Sequence, residues 1–97
     1  MEQETRISLT ARERMLVLAH GCGGDVLGEV EPQLEDHRDD PGVVGVVSSG
    51  YNWARVTGSM TYECRVMKVK SRQLRLEVLD LCDRIDDAIA RDGYRWR

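Results

Sequence analysis

The sequence contains no phenylalanine, and its only aromatic residues are two tryptophans and three tyrosines. A core for these 97 residues must therefore be built from aliphatic side chains, methionine and cysteine, and it will be modest in size. The hydrophobic fraction of 41% still indicates a folded chain, although 32% of the residues are charged. The length predicts a single domain over residues 1–97.

Long apolar runs and paired cysteines are also absent. The longest apolar run, residues 15–19, is too short for a membrane span or a signal sequence. The three cysteines, Cys22, Cys64 and Cys82, are odd in number and lack Cys-x-x-Cys spacing, which is typical of reduced thiols. We therefore expect a cytoplasmic protein. Its net charge of −3 argues against attraction of the whole molecule to nucleic acid or to an anionic membrane.

Residues that could carry catalysis or hold a metal are sparse. His20, Cys22 and His37 are the only such set, whereas a zinc site needs about four ligands and a cysteine nucleophile needs a base nearby. The glycine-rich residues 21–25 lack the Gly-Lys-Ser/Thr ending of a phosphate loop and follow a predicted helix, not a strand. We expect a protein that is not an enzyme and that binds no cofactor and no metal.

The first clear helix signal is the sequence Thr-Ala-Arg-Glu at residues 10–13. Thr10 and Glu13 have the spacing of a capping box, and apolar residues then recur at helical spacing up to about His20. Gly21 is suited to a left-handed C-cap. These features predict an N-terminal helix, and residues 1–8 before it are expected to be a ragged or disordered start.

Two further helices are predicted. A short one over about residues 31–38 is compatible with Pro32 only if the proline lies in the first turn. A long one begins after Ser71, a good N-cap, and ends at Gly93. Its apolar positions step by 4, 3, 4 and 3 residues: Leu74, Val78, Leu81, Ile85 and Ala88.

The middle of the chain favours strands. Residues 42–47, Gly-Val-Val-Gly-Val-Val, are β-branched and bounded by turn residues, which predicts a strand. Gly58 and Ser59 suit a two-residue hairpin turn, so we interpret residues 51–69 as a β-hairpin. A helix is the competing interpretation, because apolar residues also recur there at near-helical spacing: Trp53, Val56, Met60, Cys64 and Met67.

The expected fold is therefore α+β: an N-terminal helix, a short second helix, a three-stranded antiparallel meander and a C-terminal amphipathic helix. The alternative is a mostly α-helical domain. The apolar face of the last helix is wider than a three-stranded sheet covers, so we expect a homodimer whose contact includes four of its residues: Leu74, Val78, Leu81 and Ile85.

Residues 9–21, Leu-Thr-Ala-Arg-Glu-Arg-Met-Leu-Val-Leu-Ala-His-Gly, resemble the opening helix of LuxR-type helix-turn-helix domains. The resemblance implies a second helix, a tight turn and a DNA-recognition helix in the segment that follows. That segment instead contains Pro32 and an acidic run, which phosphate groups would repel. We therefore interpret the similarity as a shared capping box.

Carboxylates are concentrated in two blocks, residues 29–40 and residues 77–87. Ordinary surfaces intersperse the two signs of charge, so this clustering indicates a partner of opposite charge. The competing interpretation is that the carboxylates only keep the chain soluble. If a partner exists, the residues expected to bind it are Glu29, Glu31, Glu35, Asp36, Asp39, Asp40, Asp80, Asp83 and Asp87.

The principal hypothesis is a non-enzymatic protein that covers a basic, nucleic-acid-binding site on another protein. In size and charge it is similar in type to inhibitors encoded by phages and mobile elements, including anti-CRISPR proteins. The alternative is a small nucleic-acid-binding regulator that uses residues 65–75, which hold five cations and no anion. Its expected contacts are Arg65, Lys68, Lys70, Arg72 and Arg75, with Tyr51 and Trp53 as stacking faces.

Overall fold

The computed structural model describes residues 3–21, 24–66 and 68–95. Within them the chain forms five helices and one two-stranded antiparallel sheet, so the α+β class is confirmed. The elements in chain order are β1 (Glu4–Leu9), α1 (Ala11–His20), α2 (Gly24–Leu27), α3 (Val30–Asp36), β2 (Val44–Ser49), α4 (Gly50–Arg65) and α5 (Arg72–Arg91).

The chain forms a strand over Glu4–Leu9, so the expectation of a ragged start is wrong for residues 4–8, and residues 1 and 2 lie outside the described residues. Inward and outward side chains alternate along β1: Thr5, Ile7 and Leu9 are buried, whereas the residues between them are exposed. The strand pairs with β2 so that Arg6 lies opposite Val47. Because this pairing joins residues about 40 positions apart, local sequence signals indicate it only weakly.

Helix α1 has the predicted capping box. The Thr10 hydroxyl accepts from the Glu13 amide at 3.1 Å, and Glu13 Oε1 accepts from the Thr10 amide at 2.9 Å. The predicted left-handed cap at Gly21 is wrong, since its φ is −81°. A Cβ at Gly21 would lie 2.7 Å from Leu27 Cδ2, so this glycine permits the close approach of α2.

Helix α4 occupies the region that we interpreted as a hairpin, so the three-stranded meander is not found. The Ser49 hydroxyl caps the helix by accepting from the Asn52 amide at 3.1 Å. Gly58, taken as a turn residue, is exposed within the helix, and a Cβ added there would meet no atom within 4 Å. The buried residues follow the competing helical interpretation, and they are Trp53, Val56, Met60 and Cys64; Met67 lies outside the described residues.

Helices α3 and α5 confirm the two other helical predictions. Pro32 lies in the first turn of α3, where a proline is tolerated. The Ser71 hydroxyl caps α5 by accepting from the Leu74 amide at 3.2 Å, and Gly93 follows the helix with φ +99°. The apolar face of α5 packs against α4 and forms much of the core.

This packing corrects the expected dimer contact. Val78, Leu81 and Ile85 are at most 3% exposed, because α4 and the sheet of the same chain cover them. Leu74 is half-buried against the same core. A second copy therefore cannot reach the three buried side chains, and the wide apolar face of α5 no longer supports a dimer.

Candidate interaction surface

The last two residues of α3 and the turn after it carry four exposed carboxylates. We call residues 35–40 the acidic segment. Its turn is closed by two backbone hydrogen bonds, from the Arg38 amide to the Glu35 carbonyl at 3.2 Å and from the Asp40 amide to the His37 carbonyl at 3.0 Å. All six of its residues are exposed. The chain then passes through Pro41 and Gly42 to β2.

Arg14 of α1 binds the backbone of this segment, and only 3% of the surface of Arg14 is exposed. Its Nη1 donates to the Leu9 carbonyl at 3.0 Å and to the Gly42 carbonyl at 2.8 Å. Its Nη2 donates to the carbonyls of His37 (3.4 Å) and Asp40. The buried guanidinium therefore binds backbone carbonyls within the turn and also those of Leu9 and Gly42, and in the described part of the chain it pairs with no carboxylate.

The carboxylates of the acidic segment are left largely uncompensated. Glu35 pairs with Arg38 at 2.6 Å, and this pair raises the pKa of Arg38. Asp40 accepts from the Gly42 amide at 2.9 Å and lies 3.7 Å from His37 Nδ1. Within residues 3–21, 24–66 and 68–95 no hydrogen bond or ion pair reaches the side chains of Asp36 and Asp39. Four carboxylates therefore face solvent with one arginine among them.

Two of the predicted partner-binding residues lie elsewhere. Glu29 Oε1 accepts from the Ser48 hydroxyl at 2.8 Å and from the Ser49 amide at 3.3 Å, so this carboxylate fastens the end of β2. Glu31 is half-buried on α3. Glu29 therefore has an internal structural role, and neither Glu29 nor Glu31 lies within the acidic segment.

The second acidic set lies on α5, where Asp80, Asp83 and Asp87 are exposed as predicted. We call these three residues the α5 acids. Asp80 borders a cavity of about 430 Å3 between α1 and α5. Helix α1 contacts α3 and also forms two ion pairs with α5.

Two ion pairs between α1 and α5 were missed by sequence reasoning. Arg12 contacts Glu77 at 3.1 Å, and Arg84 contacts Glu13 at 2.7 Å. The hydrogen bonds from the arginines lower the pKa of Glu77 and of Glu13. Because the partners are 65 and 71 positions apart, spacing along the sequence gives no signal for either pair.

Asp86 is a further carboxylate whose role the sequence does not reveal. It is half-buried beside α4, where the Thr57 hydroxyl donates to Oδ1 at 2.9 Å. Burial raises the pKa of Asp86, and the nearby charges of Asp83 and Asp87 add to this effect. This carboxylate thus joins α5 to α4 and does not belong to the exposed α5 acids.

The basic residues 65–75 surround the connection between α4 and α5. Arg65, Lys68, Lys70 and Arg72 are exposed. Arg75 is half-buried, and its Nη1 donates to the carbonyls of Val69 at 2.8 Å and Lys70 at 2.9 Å, so it shapes the connection itself. Four cations are therefore available to a ligand, and the fifth has a structural role.

The two aromatic residues expected to stack on bases differ sharply. Tyr51 is 53% exposed, and the guanidinium of Arg55 lies 5.8 Å from its ring centre. Trp53 is fully buried, and its Nε1 donates to the Thr5 carbonyl at 3.1 Å. The expectation of a stacking role for Trp53 is wrong, because the helical geometry of α4 turns its ring into the core.

The two histidines of the predicted metal or nucleophile set make separate contacts, His20 with Glu63 and His37 with Asp40. His20 Nδ1 lies 2.9 Å from Glu63 Oε1, an internal contact between α1 and α4, and Cys22 lies outside the described residues. No group of three His, Cys, Asp or Glu residues with metal-binding geometry occurs in the described ranges. Cys64 and Cys82 are buried, and burial raises the pKa of Cys82 to about 12, so this thiol stays protonated.

No protein-family model, no curated protein and no solved structure matches this chain. No helix in the described part of the chain is both long and apolar enough to cross a membrane. The surface chemistry of the described residues is therefore the basis for a functional proposal.

Proposed function

We propose that this chain is a non-enzymatic binding protein that recognises another protein through its acidic surface. More particularly, the acidic segment covers a basic, nucleic-acid-binding site on its partner and competes there with nucleic acid. One observation carries the proposal: buried Arg14 holds the backbone of the acidic segment and leaves its carboxylates to solvent.

The placement of Arg14 has a physical consequence for binding. A buried arginine next to an acidic segment would ordinarily pair with a carboxylate, because charge-assisted pairs offset the cost of removing the cation from water. Here the guanidinium binds carbonyls of His37, Asp40 and Gly42 instead. Since the backbone of the acidic segment is already ordered, binding of a partner to its carboxylates costs this chain less conformational entropy. A surface that only keeps the protein soluble has no need of a fixed backbone.

The chemistry of the acidic segment suits the type of site that we propose. Sites that bind the phosphates of nucleic acid present arginine and lysine side chains, and these also pair with carboxylates. Asp36 and Asp39 are free to make such pairs, and Asp80, Asp83 and Asp87 supply further negative charge on α5. The proposed action is that of small acidic inhibitors from phages and mobile elements, of which anti-CRISPR proteins are an example.

The alternative function is direct binding of nucleic acid by the exposed cations of residues 65–75. Lys68, Lys70 and Arg72 are accessible for phosphate contacts. Of the two expected stacking residues, however, only Tyr51 is exposed. Because base stacking supplies much of the affinity for single strands, the burial of Trp53 makes this function less favourable than the acidic one.

The test is affinity capture from a host lysate, with and without nuclease and at low and high salt. Wild-type chain should retain a nucleic-acid-binding protein after nuclease treatment and release it at high salt. The purified chain should then displace an oligonucleotide from that protein. The variant Asp36→Lys/Asp39→Lys should bind at least about tenfold more weakly, because two attractive contacts become repulsive.

A matched variant separates the two functions. Lys68→Glu/Lys70→Glu changes charge by the same magnitude at exposed positions and should leave partner capture intact. If this variant instead abolishes recovery of nucleic acid by the chain, the alternative function is correct. Capture that is insensitive to Asp36→Lys/Asp39→Lys, or a captured protein that still binds its oligonucleotide, contradicts the proposal. Both variants should unfold at the same denaturant concentration as wild type.

A further inference from the structure

The two outer edges of the sheet differ in whether their backbone groups have hydrogen-bond partners, and those of Val47 and Ser49 on the β2 edge have them. The side-chain amide of Gln33 pairs with the backbone of Val47 in both directions. Its Oε1 accepts from the Val47 amide at 2.9 Å, and its Nε2 donates to the Val47 carbonyl at 2.7 Å. Glu29 accepts from the Ser49 amide at 3.3 Å. Helix α3 and the residue before it thus occupy the place of a third strand beside β2.

The β1 edge is open at its centre. Because the Val47 peptide groups point away from β1, Val47 and Arg6 form a pair that is not hydrogen-bonded. The amide and carbonyl of Arg6 therefore also point outward, as do those of Glu4 and Ser8. The Ser8 carbonyl accepts from Arg84 at 3.1 Å. For the outward backbone groups of Glu4 and Arg6, the described residues provide no partner.

Natural edge strands are usually protected by proline, lysine, a bulge or a covering element. Residues 4–9, Glu-Thr-Arg-Ile-Ser-Leu, contain neither proline nor lysine, and their pairing with β2 has no bulge. A cavity of about 240 Å3 lies beside this edge, bordered by residues 6–8 and by Arg84, Ala88 and Arg91 of α5. The edge thus has both unpaired backbone groups and adjoining space.

We propose that the occupant of this edge is the β1 strand of a second copy of the chain, paired antiparallel about a two-fold axis at Thr5. In this register Glu4 of each copy lies opposite Arg6 of the other, and these pairs are the hydrogen-bonded ones. The two two-stranded sheets then join into one sheet with the order β2, β1, β1, β2. Opposite charges directly across a strand pair are stabilising, so the edge is complementary to itself.

The charges also disfavour the neighbouring registers. A two-fold axis at Arg6 would place the two Arg6 side chains opposite each other, which is destabilising. An axis at Ile7 would place Arg6 opposite Ser8, whose carbonyl is already bound by Arg84. The axis at Thr5 is therefore the register in which both the peptide groups and the exposed charges of Glu4 and Arg6 are matched.

Sedimentation velocity of the full chain over a range of concentrations tests this proposal. The wild-type chain should form a dimer, and Glu4→Arg or Arg6→Glu should each weaken dimerisation by about tenfold or more, because attractive cross-strand pairs become repulsive. The exchanged variant Glu4→Arg/Arg6→Glu should restore the dimer, since it restores opposite charges. Mixing the two single variants should produce a heterodimer, because all four facing charges are then complementary.

Because these variants change exposed side chains, each should remain folded. Thermal unfolding checks this, so that a loss of dimer can be told from a loss of folding. A wild-type chain that stays monomeric up to its solubility limit overturns the proposal and leaves the edge to a strand from a different protein. The proposal is equally wrong if the single variants dimerise like wild type. Failure of the exchanged variant to recover would reject the register at Thr5. The outcome is independent of partner capture by the acidic segment.

Discussion

The acidic segment and helix α5 carry the same kind of charge but use it differently. In the acidic segment the backbone is anchored by Arg14, and the side chains of Asp36 and Asp39 make no hydrogen bond or ion pair with the described residues. In α5 the backbone needs no anchor, and some carboxylates are drawn into the fold: Glu77 and Asp86 bind residues of α1 and α4. Charge density along a sequence therefore does not tell which carboxylates are available to a partner.

The difference has a physical origin. A helix satisfies its own peptide groups, so its carboxylates can be used for contacts between elements. In the acidic segment the buried cation Arg14 binds the carbonyls of His37 and Asp40, and within the described residues it pairs with no carboxylate. The four carboxylates of residues 35–40 therefore stay exposed to solvent.

Replacing Arg14 should remove this contrast. Arg14→Met keeps a long apolar side chain but leaves the carbonyls of Leu9 and Gly42, among others, without their donor. We expect the free energy of unfolding to fall by about 3 kcal/mol, since four carbonyls lose a charged hydrogen-bond donor and the turn loses its anchor. Urea unfolding measures this loss. Partner binding by the acidic segment should also weaken under conditions where the variant is still folded.

The matched control for Arg14 is Arg12→Met on the same helix. Arg12 is exposed and pairs with Glu77 at the surface. Its replacement should change the stability much less than Arg14→Met does, because exposed ion pairs contribute little. Equal losses for the two variants would contradict the structural role that we assign to Arg14.

Glu13 tests the contacts between α1 and α5. Glu13→Gln keeps the capping box, which accepts glutamine, but loses the ion pair with Arg84. We expect a loss of about 1 kcal/mol at neutral pH. The folded-state pKa of Glu13 is lowered from 4.5, so its stabilisation is present above that value and disappears as the pH falls through the folded-state pKa.

Urea unfolding of wild type and Glu13→Gln at neutral and acidic pH measures this effect. The difference between the two should be largest at neutral pH and should shrink below pH 4.5. Glu35→Gln is the matched control in the acidic segment, where the pair with Arg38 is local and exposed. Its stability should stay close to wild type, and a loss like that of Glu13→Gln would contradict the contrast between the two regions.

Replacing Asp86 should change the free energy of unfolding least among these variants, and the change should stabilise the protein. Burial raises the pKa of Asp86 from 3.8, so the ionised carboxylate disfavours folding above that raised pKa. Asp86→Asn keeps an acceptor for the Thr57 hydroxyl and should stabilise the protein by about 0.5 kcal/mol at neutral pH. The gain should vanish below pH 3.8, where Asp86 is protonated in both states.

Asp83→Asn is the control for Asp86, since Asp83 is exposed on the same helix. Thermal unfolding at two pH values compares the variants. A stabilisation that is equal for Asp83→Asn and Asp86→Asn would show that general repulsion along α5, and not burial beside Thr57, is responsible.

Local sequence signals predicted some elements well. The capping box at Thr10 and Glu13 located α1, and Ser71 with the apolar periodicity after it located α5. Each signal acts over three or four residues, within the same element, so no distant contact is needed to interpret it. The exposed carboxylates of residues 35–40 were likewise predicted as a surface, because no local signal called for their burial.

Elsewhere the local signals were ambiguous or silent. Gly58 fits a hairpin turn, and the residues around it fit either a strand pair or a helix. Packing resolved this, because a helix places Trp53, Val56 and Met60 together against α5 and the sheet. Strand β1 was missed for a related reason: its alternation spans six residues, and its partner β2 begins 35 residues after it ends.

For this protein, the N-caps of α1 and α5, the periodicity of α5 and the exposure of residues 35–40 follow from neighbouring residues, and the amino-acid order alone was enough to predict them. The state of residues 50–65, the pairing of β1 and the roles of Arg14, Glu29, Glu77 and Asp86 depend on contacts between distant parts of the chain. Such contacts form only when elements pack, because burial decides which polar groups need a partner and which stay in water. Folding thus decides which of the many carboxylates become internal contacts and which stay exposed to solvent.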